Sequence, residues 1–367
     1  MGCQACGGEA LREIEGFAEL PRVTSDSKPF RPGGRLFSCE RCGLAQKRAD
    51  ERWRAEIAEI YRDYEMYHQS AALDQPVFED GRAVGRCELI VRRLLDAGVL
   101  APSGKLLDVG AGSGAMLAAV SGACPRWKLF GQDLDARKEP ALRAIRGFER
   151  LFTVPPAQLG EQFDLVTLVH SLEHFTEPLA MLRSLQTCLK PAGRLLVQVN
   201  DVERMPFDLV VADHLCHFTP ASLAFLAGQA GFQSRAFDWV RKEISLLCSP
   251  DAQPTHARAS PAKVEAAVSW LRAMLAHARS RAGEGRFGIF GTSVAATWLA
   301  AGLGDAVSFF VDEDPARRGR THLGRPIVRP EEVSSEAQVY LAFPPETALA
   351  IAERLSGLGL RFSAFGQ

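Results

Sequence analysis

The pattern of apolar and polar positions divides the chain into three stretches. Residues 1–70 contain few periodic apolar runs, whereas helical patterns alternate with short apolar strands from about 71 to 250. A linker-like stretch at 251–258 is followed by apolar residues at helical spacing over 261–281. Strand-like runs then return between helical stretches, at 287–290, 307–311, 339–343 and 360–365. The pattern predicts an α/β protein in which a central domain and a second βαβ domain, 251–367, follow a small N-terminal module.

Composition narrows the classes of protein to consider. The chain has 367 residues, of which 47% are hydrophobic and 24% charged, as in a folded protein with more than one core. A net charge of −1 gives no basic field that would favour nucleic acid or an anionic membrane. No apolar run is long enough to span a bilayer, and the first residues do not resemble a secretory signal. We therefore expect a cytoplasmic protein; the sequence does not indicate its oligomeric state.

Four cysteines near the N-terminus form two closely spaced pairs. Cys3 and Cys6 form one pair, Cys39 and Cys42 form the other, and a glycine follows each pair. Paired thiolates in a reducing compartment favour a metal over disulfides, and four of them close the coordination sphere of a tetrahedral Zn²⁺. We therefore expect a structural zinc site. The alternatives are two unrelated pairs or a redox pair.

A glycine-rich turn follows the first strand-like run of the central stretch. The run at 105–109 includes Asp108 and leads into the turn, whose glycines are Gly110, Gly112 and Gly114. Such glycines let a ligand approach the backbone closely at the carboxyl end of a strand. The next run, 127–131, precedes Asp133, whose carboxylate can accept both ribose hydroxyls of a nucleoside; Asp135 is a less favoured substitute. The turn alone also suits NAD or FAD.

Later elements give this turn a context. A fourth strand-like run ends at His170 and is followed by Glu173 and His174; a helix over 178–189, a turn at 190–193 and a strand over 194–199 come next. In this order, the elements resemble the class I methyltransferases that use S-adenosylmethionine (SAM), over about 85–245. The resemblance implies that SAM contacts Asp108, the three glycines and Asp133, with His170 supporting the pocket.

A wider resemblance covers nearly the full chain. It is carried by the second cysteine pair, a tyrosine-rich stretch and three C-terminal stretches, at 39–46, 61–70, 288–291, 311–315 and 325–331. These residues resemble the zinc-containing bacterial nucleotide-sugar C-methyltransferases. The resemblance implies an N-terminal zinc-binding module (1–70), a class I methyltransferase Rossmann-like central domain (71–250) and a C-terminal Rossmann-like α/β domain that holds substrate. The implied reaction is C-methylation of a nucleotide-linked keto sugar by enolisation and methyl transfer.

Methylation next to a carbonyl requires a base, and histidine suits this role near neutral pH. The resemblance implies that His214, with Asp213 as its acidic partner, is the first candidate and His174 the second. Where the family has a tyrosine two residues before its acid, this chain has Val211. Three tyrosines between 61 and 67 stand at helical spacing. They form either one packed face of a helix or hydroxyl donors to the substrate. Tyr67 is a preferred donor.

Other functions remain open from the sequence. One alternative is an O- or N-methyltransferase that acts on another small metabolite. Another is a scaffold that binds SAM without catalysis, although the glycine turn and Asp133 argue against it. Glycines at 288 and 291, followed by Asp312, imitate a second dinucleotide site, but the resemblance gives that domain a substrate-holding role instead.

Overall fold

The computed structural model describes residues 2–62, 74–79, 82–250, 263–283 and 285–366. Within these ranges, helices and strands alternate through most of the chain, as the apolar pattern predicts. None of the helices described in them combines the length and the apolar character needed to cross a bilayer.

The N-terminal stretch forms a small antiparallel sheet and one helix. Its elements are β1 (Leu11–Glu13), β2 (Arg22–Val23), β3 (Pro29–Phe30), β4 (Phe37–Cys39), β5 (Ala45–Gln46) and α1 (Glu51–Arg62). β4 pairs with β1 and with β5, while β2 and β3 pair separately. Leu44 and Trp53 pack in the same hydrophobic cluster as Leu215 and Phe218 of the central stretch. The N-terminal stretch is therefore packed against the central stretch; the boundary at residue 70 stays a prediction.

The central stretch contains the largest sheet. Its elements are β6 (Pro76–Glu79), β7 (Arg82–Gly85), α2 (Arg86–Asp96), β8 (Lys105–Val109), α3 (Ala115–Ala123), β9 (Lys128–Gln132), α4 (Glu139–Arg143), β10 (Phe148–Phe152), β11 (Phe163–Val169), α5 (Pro178–Cys188), β12 (Leu189–Asn200), β13 (Cys216–His217), α6 (Pro220–Gln229), β14 (Phe232–Phe237) and β15 (Glu243–Pro250). The sheet order is β10-β9-β8-β11-β12-β15-β14. β15 runs antiparallel to both of its neighbours, and the other pairs are parallel. This is the Rossmann-like methyltransferase sheet that the resemblance implies.

The strand order reverses between β8 and β11. The chain winds outward from β8 to β10 on one side and from β11 onward on the other. In an open α/β sheet, ligands bind in the crevice at the carboxyl ends of strands at such a reversal. The glycine-rich turn follows β8 and His170 follows β11, so both lie at this crevice.

The C-terminal stretch forms a second α/β unit, as predicted. Its elements are α7 (Val264–Ala282), β16 (Phe287–Phe290), α8 (Val294–Leu303), β17 (Val307–Val311), β18 (Thr321–His322), β19 (Arg325–Val328), β20 (Gln338–Tyr340), α9 (Pro345–Arg354) and β21 (Arg361–Ser363). The order β18-β19-β17-β16-β20-β21 is parallel except for the β18–β19 pair. Each predicted strand overlaps an observed one: the first two have the predicted ends, and the last two differ by one to three residues.

The N-terminal stretch also packs against this C-terminal unit. Phe17 and Leu20 share a buried cluster with Leu271 of α7 and Trp298 of α8. The Trp298 indole N–H donates to the backbone oxygen of Pro21 at 2.9 Å. The N-terminal stretch is thus held between the two larger units, which the hydrophobic pattern does not predict.

Two local expectations have different outcomes. The turn predicted at 190–193 is wrong, because these residues lie inside β12, whose pairing with β11 begins at Leu189 and Phe163. The register shifts after that pair, which places the extra residues within the strand. The expected linker at 251–258 lies outside the described residues.

Candidate active site and zinc site

The two cysteine pairs converge on one point. The Sγ atoms of Cys3 and Cys42 are 3.4 Å apart, and those of Cys6 and Cys39 are 3.6 Å apart. All four Sγ atoms lie within 4.8 Å of one another, and all four cysteines are free thiols. Sulfurs that bind one tetrahedral Zn²⁺ at about 2.3 Å stand about 3.8 Å apart. The cluster therefore fits the structural zinc that the sequence predicts.

Both pairs turn in the same way. The N–H of Gly7 donates to the backbone oxygen of Cys3 at 2.8 Å, and the N–H of Gly43 donates to that of Cys39 at 2.9 Å. Both glycines have left-handed φ values, 67° and 73°, which residues with a Cβ rarely adopt. The glycine after each pair thus allows the backbone to curl around the sulfurs.

The glycine-rich turn leaves room for a ligand at the carboxyl end of β8. Gly110, Gly112 and Gly114 all have positive φ values. A Cβ at Gly110 would stand 2.7 Å from the Cβ of Ser171, so the turn packs tightly on the segment after β11. A Cβ at Gly112 would meet nothing closer than 3.8 Å, which leaves this side of the turn open. This open backbone fits the amino-acid part of SAM.

Asp133 follows β9 and faces the turn. Its Oδ2 accepts from the Gly112 N–H at 2.9 Å and lies 3.2 Å from the Lys138 ammonium. Its Oδ1 accepts from the Asp135 N–H at 2.9 Å. The side chain of Asp135 instead binds Arg137. Asp133, and not Asp135, therefore faces the glycine-rich turn, and its role as the ribose acceptor stays a prediction.

Asp108 lies beneath the turn. It is 4% exposed, and its Oδ1 accepts from the Thr167 hydroxyl at 2.7 Å. Burial raises the pKa of Asp108 to about 7, against the hydrogen bond from Thr167, and the charge of Asp133 raises it further. A cationic ligand above the turn would favour the ionised form of this carboxyl.

Two candidate base histidines lie side by side at the same edge. His174 follows β11 and His214 precedes β13; their rings meet edge to face with centroids 4.7 Å apart. Nδ1 of His174 lies 3.0 Å from the Tyr61 hydroxyl and 3.2 Å from the backbone oxygen of Asp213. The structure thus brings His174, Asp213 and His214 together, as the sequence predicts, while their roles stay predictions.

The acidic partner of His214 differs from the expected one. His214 donates from Nδ1 to Oδ1 of Asp208 at 2.8 Å. Asp213 instead accepts from the backbone N–H and the hydroxyl of Ser25. Burial lowers the pKa of His214, but the charge of Asp208 and their hydrogen bond outweigh it and raise the pKa. Asp208 is not predictable from the sequence, because no residue between Pro206 and His214 indicates which acid points toward the ring.

A lysine of the N-terminal module supports this segment. Lys47 is 2% exposed, and its ammonium donates to the backbone oxygens of Val211 and His214, the latter at 2.8 Å. It also donates to Nε2 of His217 at 3.2 Å, and Nδ1 of His217 donates to Asp208 at 2.7 Å. Burial lowers the pKa of Lys47 to about 7, although Asp208 opposes this effect. The hydrogen-bonded series Lys47–His217–Asp208–His214 therefore connects the N-terminal module to the candidate base.

His170 belongs to a buried ionic network. Its Nε2 lies 2.9 Å from Glu243, which also pairs with Arg86 at 2.9 Å and accepts from Gln198 at 2.7 Å. Burial and the charge of Arg86 lower the pKa of His170, but Glu243 and Glu173 outweigh them and raise it to about 9. With a φ of 50°, His170 turns the chain sharply at the end of β11. This is consistent with a supporting role beside the SAM pocket.

The remaining predicted residues have mixed outcomes. Tyr67 lies outside the described residues, whereas Tyr61, the first of the three tyrosines, reaches His174. In the C-terminal unit, Thr292 donates to Asp312 at 2.9 Å, and Arg317 pairs with the same carboxylate at 2.9 Å. Asp312 is therefore held by two side chains of its own unit.

Comparisons with known proteins identify the central domain. A family described as a methyltransferase domain matches residues 80–236. Ubiquinone biosynthesis O-methyltransferase of Aeromonas salmonicida (strain A449) is 26% identical over 155 residues, which cover 36% of this chain. The chain spans 63% of the length of that relative. The central stretch is therefore a class I SAM-dependent methyltransferase domain, which confirms the predicted enzyme class at the level of this domain.

Two solved structures are similar to parts of the chain. A putative O-methyltransferase from Nostoc punctiforme is 21% identical, with 44% of this chain and 55% of that chain covered and a TM-score of 0.38. A SAM-dependent methyltransferase from Clostridium acetobutylicum is 13% identical, with 54% and 99% covered and a TM-score of 0.38. Because these scores are low, the assignment of the domain rests on the family match and the curated relative.

Proposed function

We propose that the protein transfers the methyl group of SAM to a nucleotide-linked keto sugar, on the carbon next to its carbonyl. The observation that carries this proposal is that the segment after β11 contacts both the glycine-rich turn and the segment that carries His214. Ser171 packs against Gly110 of the SAM turn. Two residues further on, the backbone oxygen of Glu173 accepts from the Leu215 N–H at 2.7 Å. The candidate base is thereby tied to the edge that holds the methyl donor.

The chain's own groups suit base-assisted methyl transfer. Bound SAM carries the reactive methyl on a sulfonium. His214 takes the proton next to the carbonyl through Nε2, because its Nδ1 donates to Asp208. Asp208 thus has the orienting role that the sequence suggested for Asp213. We assign the C-terminal α/β unit the binding of the nucleotide part, and Zn²⁺ on the four cysteines a structural role.

The second candidate is O-methylation of another small metabolite. The name of the curated relative, an O-methyltransferase, favours it. In that reaction His214 takes a hydroxyl proton, and no hydrogen on carbon exchanges with solvent. N-methylation shares this property.

Deuterium exchange separates the two reactions. A keto sugar nucleotide incubated with the protein in D₂O, without SAM, should gain deuterium next to its carbonyl, and His214→Asn should stop this exchange. General-base loss should lower turnover by about 10²–10⁴-fold while SAM affinity is retained. Lys128→Met, which removes an exposed ion pair with Glu149, serves as the control. Wild-type protein that methylates without exchange would point to O- or N-methylation.

A further inference from the structure

A buried carboxylate at the edge of the central sheet lacks its expected donors. Glu173 is 2% exposed, and neither oxygen has a hydrogen-bond partner within the part of the chain that the structure describes. Its Oε1 forms an ion pair with the His170 ring, whose Nδ1 is 3.4 Å away, whereas Oε2 has neither an ion-pair nor a hydrogen-bond partner in that part of the chain. Buried carboxylates are normally satisfied by donors or by a metal ion. Glu173 therefore indicates a ligand that completes this site.

Two histidines complete a possible ligand set. One oxygen of Glu173 and one nitrogen each of His174 and His214 lie within 4.8 Å of one another. We propose that these three side chains bind a divalent transition-metal ion, separate from the zinc on the cysteines. The two sites share no residue, and this one combines nitrogen and oxygen ligands.

The surroundings of both rings match those of metal-binding histidines. Nδ1 of His214 donates to the carboxylate of Asp208, and Nδ1 of His174 lies 3.2 Å from the backbone oxygen of Asp213. Metal-ligating histidines commonly hold a carboxylate or a carbonyl on the nitrogen that does not touch the metal. Each ring therefore keeps Nε2 for the ion. The orientation that suits a base also suits a ligand.

Geometry and access are compatible with an open site. Ligand atoms that each stand about 2.1 Å from one ion are about 3–3.5 Å apart, so the three groups need only a small closure. The side chain of His174 is 19% exposed, which leaves a route to the ion. Two imidazoles and one carboxylate leave coordination positions free for water or an acceptor oxygen. The cysteine site, by contrast, has its four protein ligands.

The ion would deepen the proposed function at the same site, and its catalytic role rests on that function. An acceptor carbonyl oxygen on the ion makes the neighbouring C–H more acidic. That bond breaks, and with Nε2 of His214 on the ion its proton would pass to ion-bound hydroxide; His214 would then act as a ligand in place of the base role assigned to it above. The electron pair forms the new bond to the methyl carbon. The sulfonium–methyl bond breaks toward sulfur and leaves S-adenosylhomocysteine.

Cobalt binding tests the ion without turnover. Zinc-loaded protein is dialysed against Co²⁺, and bound cobalt is measured by elemental analysis and visible absorption. We expect one Co²⁺ per chain in addition to zinc, with weak visible bands and no intense thiolate–cobalt absorption. Glu173→Gln and His174→Asn should each weaken cobalt binding by at least about 10–100-fold. His277→Asn should bind cobalt as the wild type does.

Failure of this proposal can be told apart from failure of the proposed function. Absence of cobalt binding, or unchanged binding in both variants, overturns the ion site. Retained SAM affinity shows that Glu173→Gln folds. If that variant does not fold, cobalt binding by His174→Asn tests the ion site. Cobalt binding without methylation of any keto sugar nucleotide retains the ion site and overturns the acceptor. Methyl transfer by a protein that binds no cobalt overturns the ion alone.

Discussion

Lys47 and His214, which are 167 positions apart, are joined by a hydrogen bond from the lysine ammonium to the histidine backbone oxygen at 2.8 Å. Lys47 directly follows β5, which pairs with β13 of the central domain. Cys39 ends β4, and Cys42 lies in the turn between β4 and β5. The N-terminal four-cysteine module therefore holds the segment that carries the candidate base, and the next two predictions rest on this contact.

Lys47→Met should impair both stability and turnover. The substitution leaves buried carbonyl oxygens of Val211 and His214 without this donor, which should lower the free energy of unfolding by about 1–3 kcal/mol. Displacement of the His214 ring should lower turnover by about 10–100-fold, with SAM affinity changed little. Denaturant unfolding and initial rates measure both effects.

Lys128→Met, which removes an exposed ion pair with Glu149, is the control and should lower the free energy of unfolding by under about 1 kcal/mol. Full turnover in Lys47→Met would contradict the link.

Zinc content provides the second prediction. Purified protein should carry one zinc per chain by elemental analysis, and Cys39→Ser should lose it because a tetrahedral site cannot close on three thiolates. Loss of the metal should loosen the β4–β5 hairpin and lower turnover through Lys47. Cys124→Ala removes a buried thiol outside the cluster and should keep the zinc. Zinc retained at full stoichiometry in Cys39→Ser would show that the cysteines do not hold it.

Asp133→Ala should weaken SAM binding. The carboxylate is placed to accept hydrogen bonds from the ribose, and such charge-assisted bonds contribute about 1.5–3 kcal/mol each. The variant also loses the bond from the Gly112 N–H that holds the turn. Calorimetry should therefore show a Kd raised by at least about tenfold. Asp135→Ala, which removes an exposed pair with Arg137, should bind SAM nearly as the wild type does. Equal affinities in the two variants would place the nucleoside elsewhere.

The parts of the fold that depend on local pattern were predictable from the sequence. β8, the glycine turn and Asp133 follow one another within thirty positions. The apolar pattern predicts the strand, the glycines predict close approach of a ligand, and the acid predicts a ribose acceptor. The two cysteine pairs are similarly recognisable by spacing. The sheet order then follows from the resemblance to methyltransferases.

The contacts that organise the candidate site were not predictable in this way. Asp213 is adjacent to His214 in sequence, yet its carboxylate turns to Ser25, and Asp208 takes the expected position beside the ring. The shared cores between the N-terminal stretch and both larger units arise from packing between distant residues such as Pro21 and Trp298. Hydrophobic period identifies which residues are buried, but it does not identify the surface against which they pack.

The last prediction concerns pH and Asp108. Folding raises the pKa of this carboxyl from 3.8 to about 7, because it is buried. The folded protein therefore binds a proton that the unfolded chain has released, and the stability from Asp108 is complete below pH 4 and is lost as the pH rises through 7.

SAM carries a net positive charge and should favour the ionised form, so binding should release a proton below pH 7. The Kd for SAM should then fall with rising pH between about 5.5 and 7, by at most about tenfold per pH unit. Calorimetry in buffers of different ionisation enthalpy measures this release directly. Asp108→Asn keeps the shape and an acceptor for Thr167 but cannot ionise. Its SAM affinity should be lower at pH 7.5 and should not show the pH dependence due to this group. The same pH dependence in wild type and variant would assign the proton to another group.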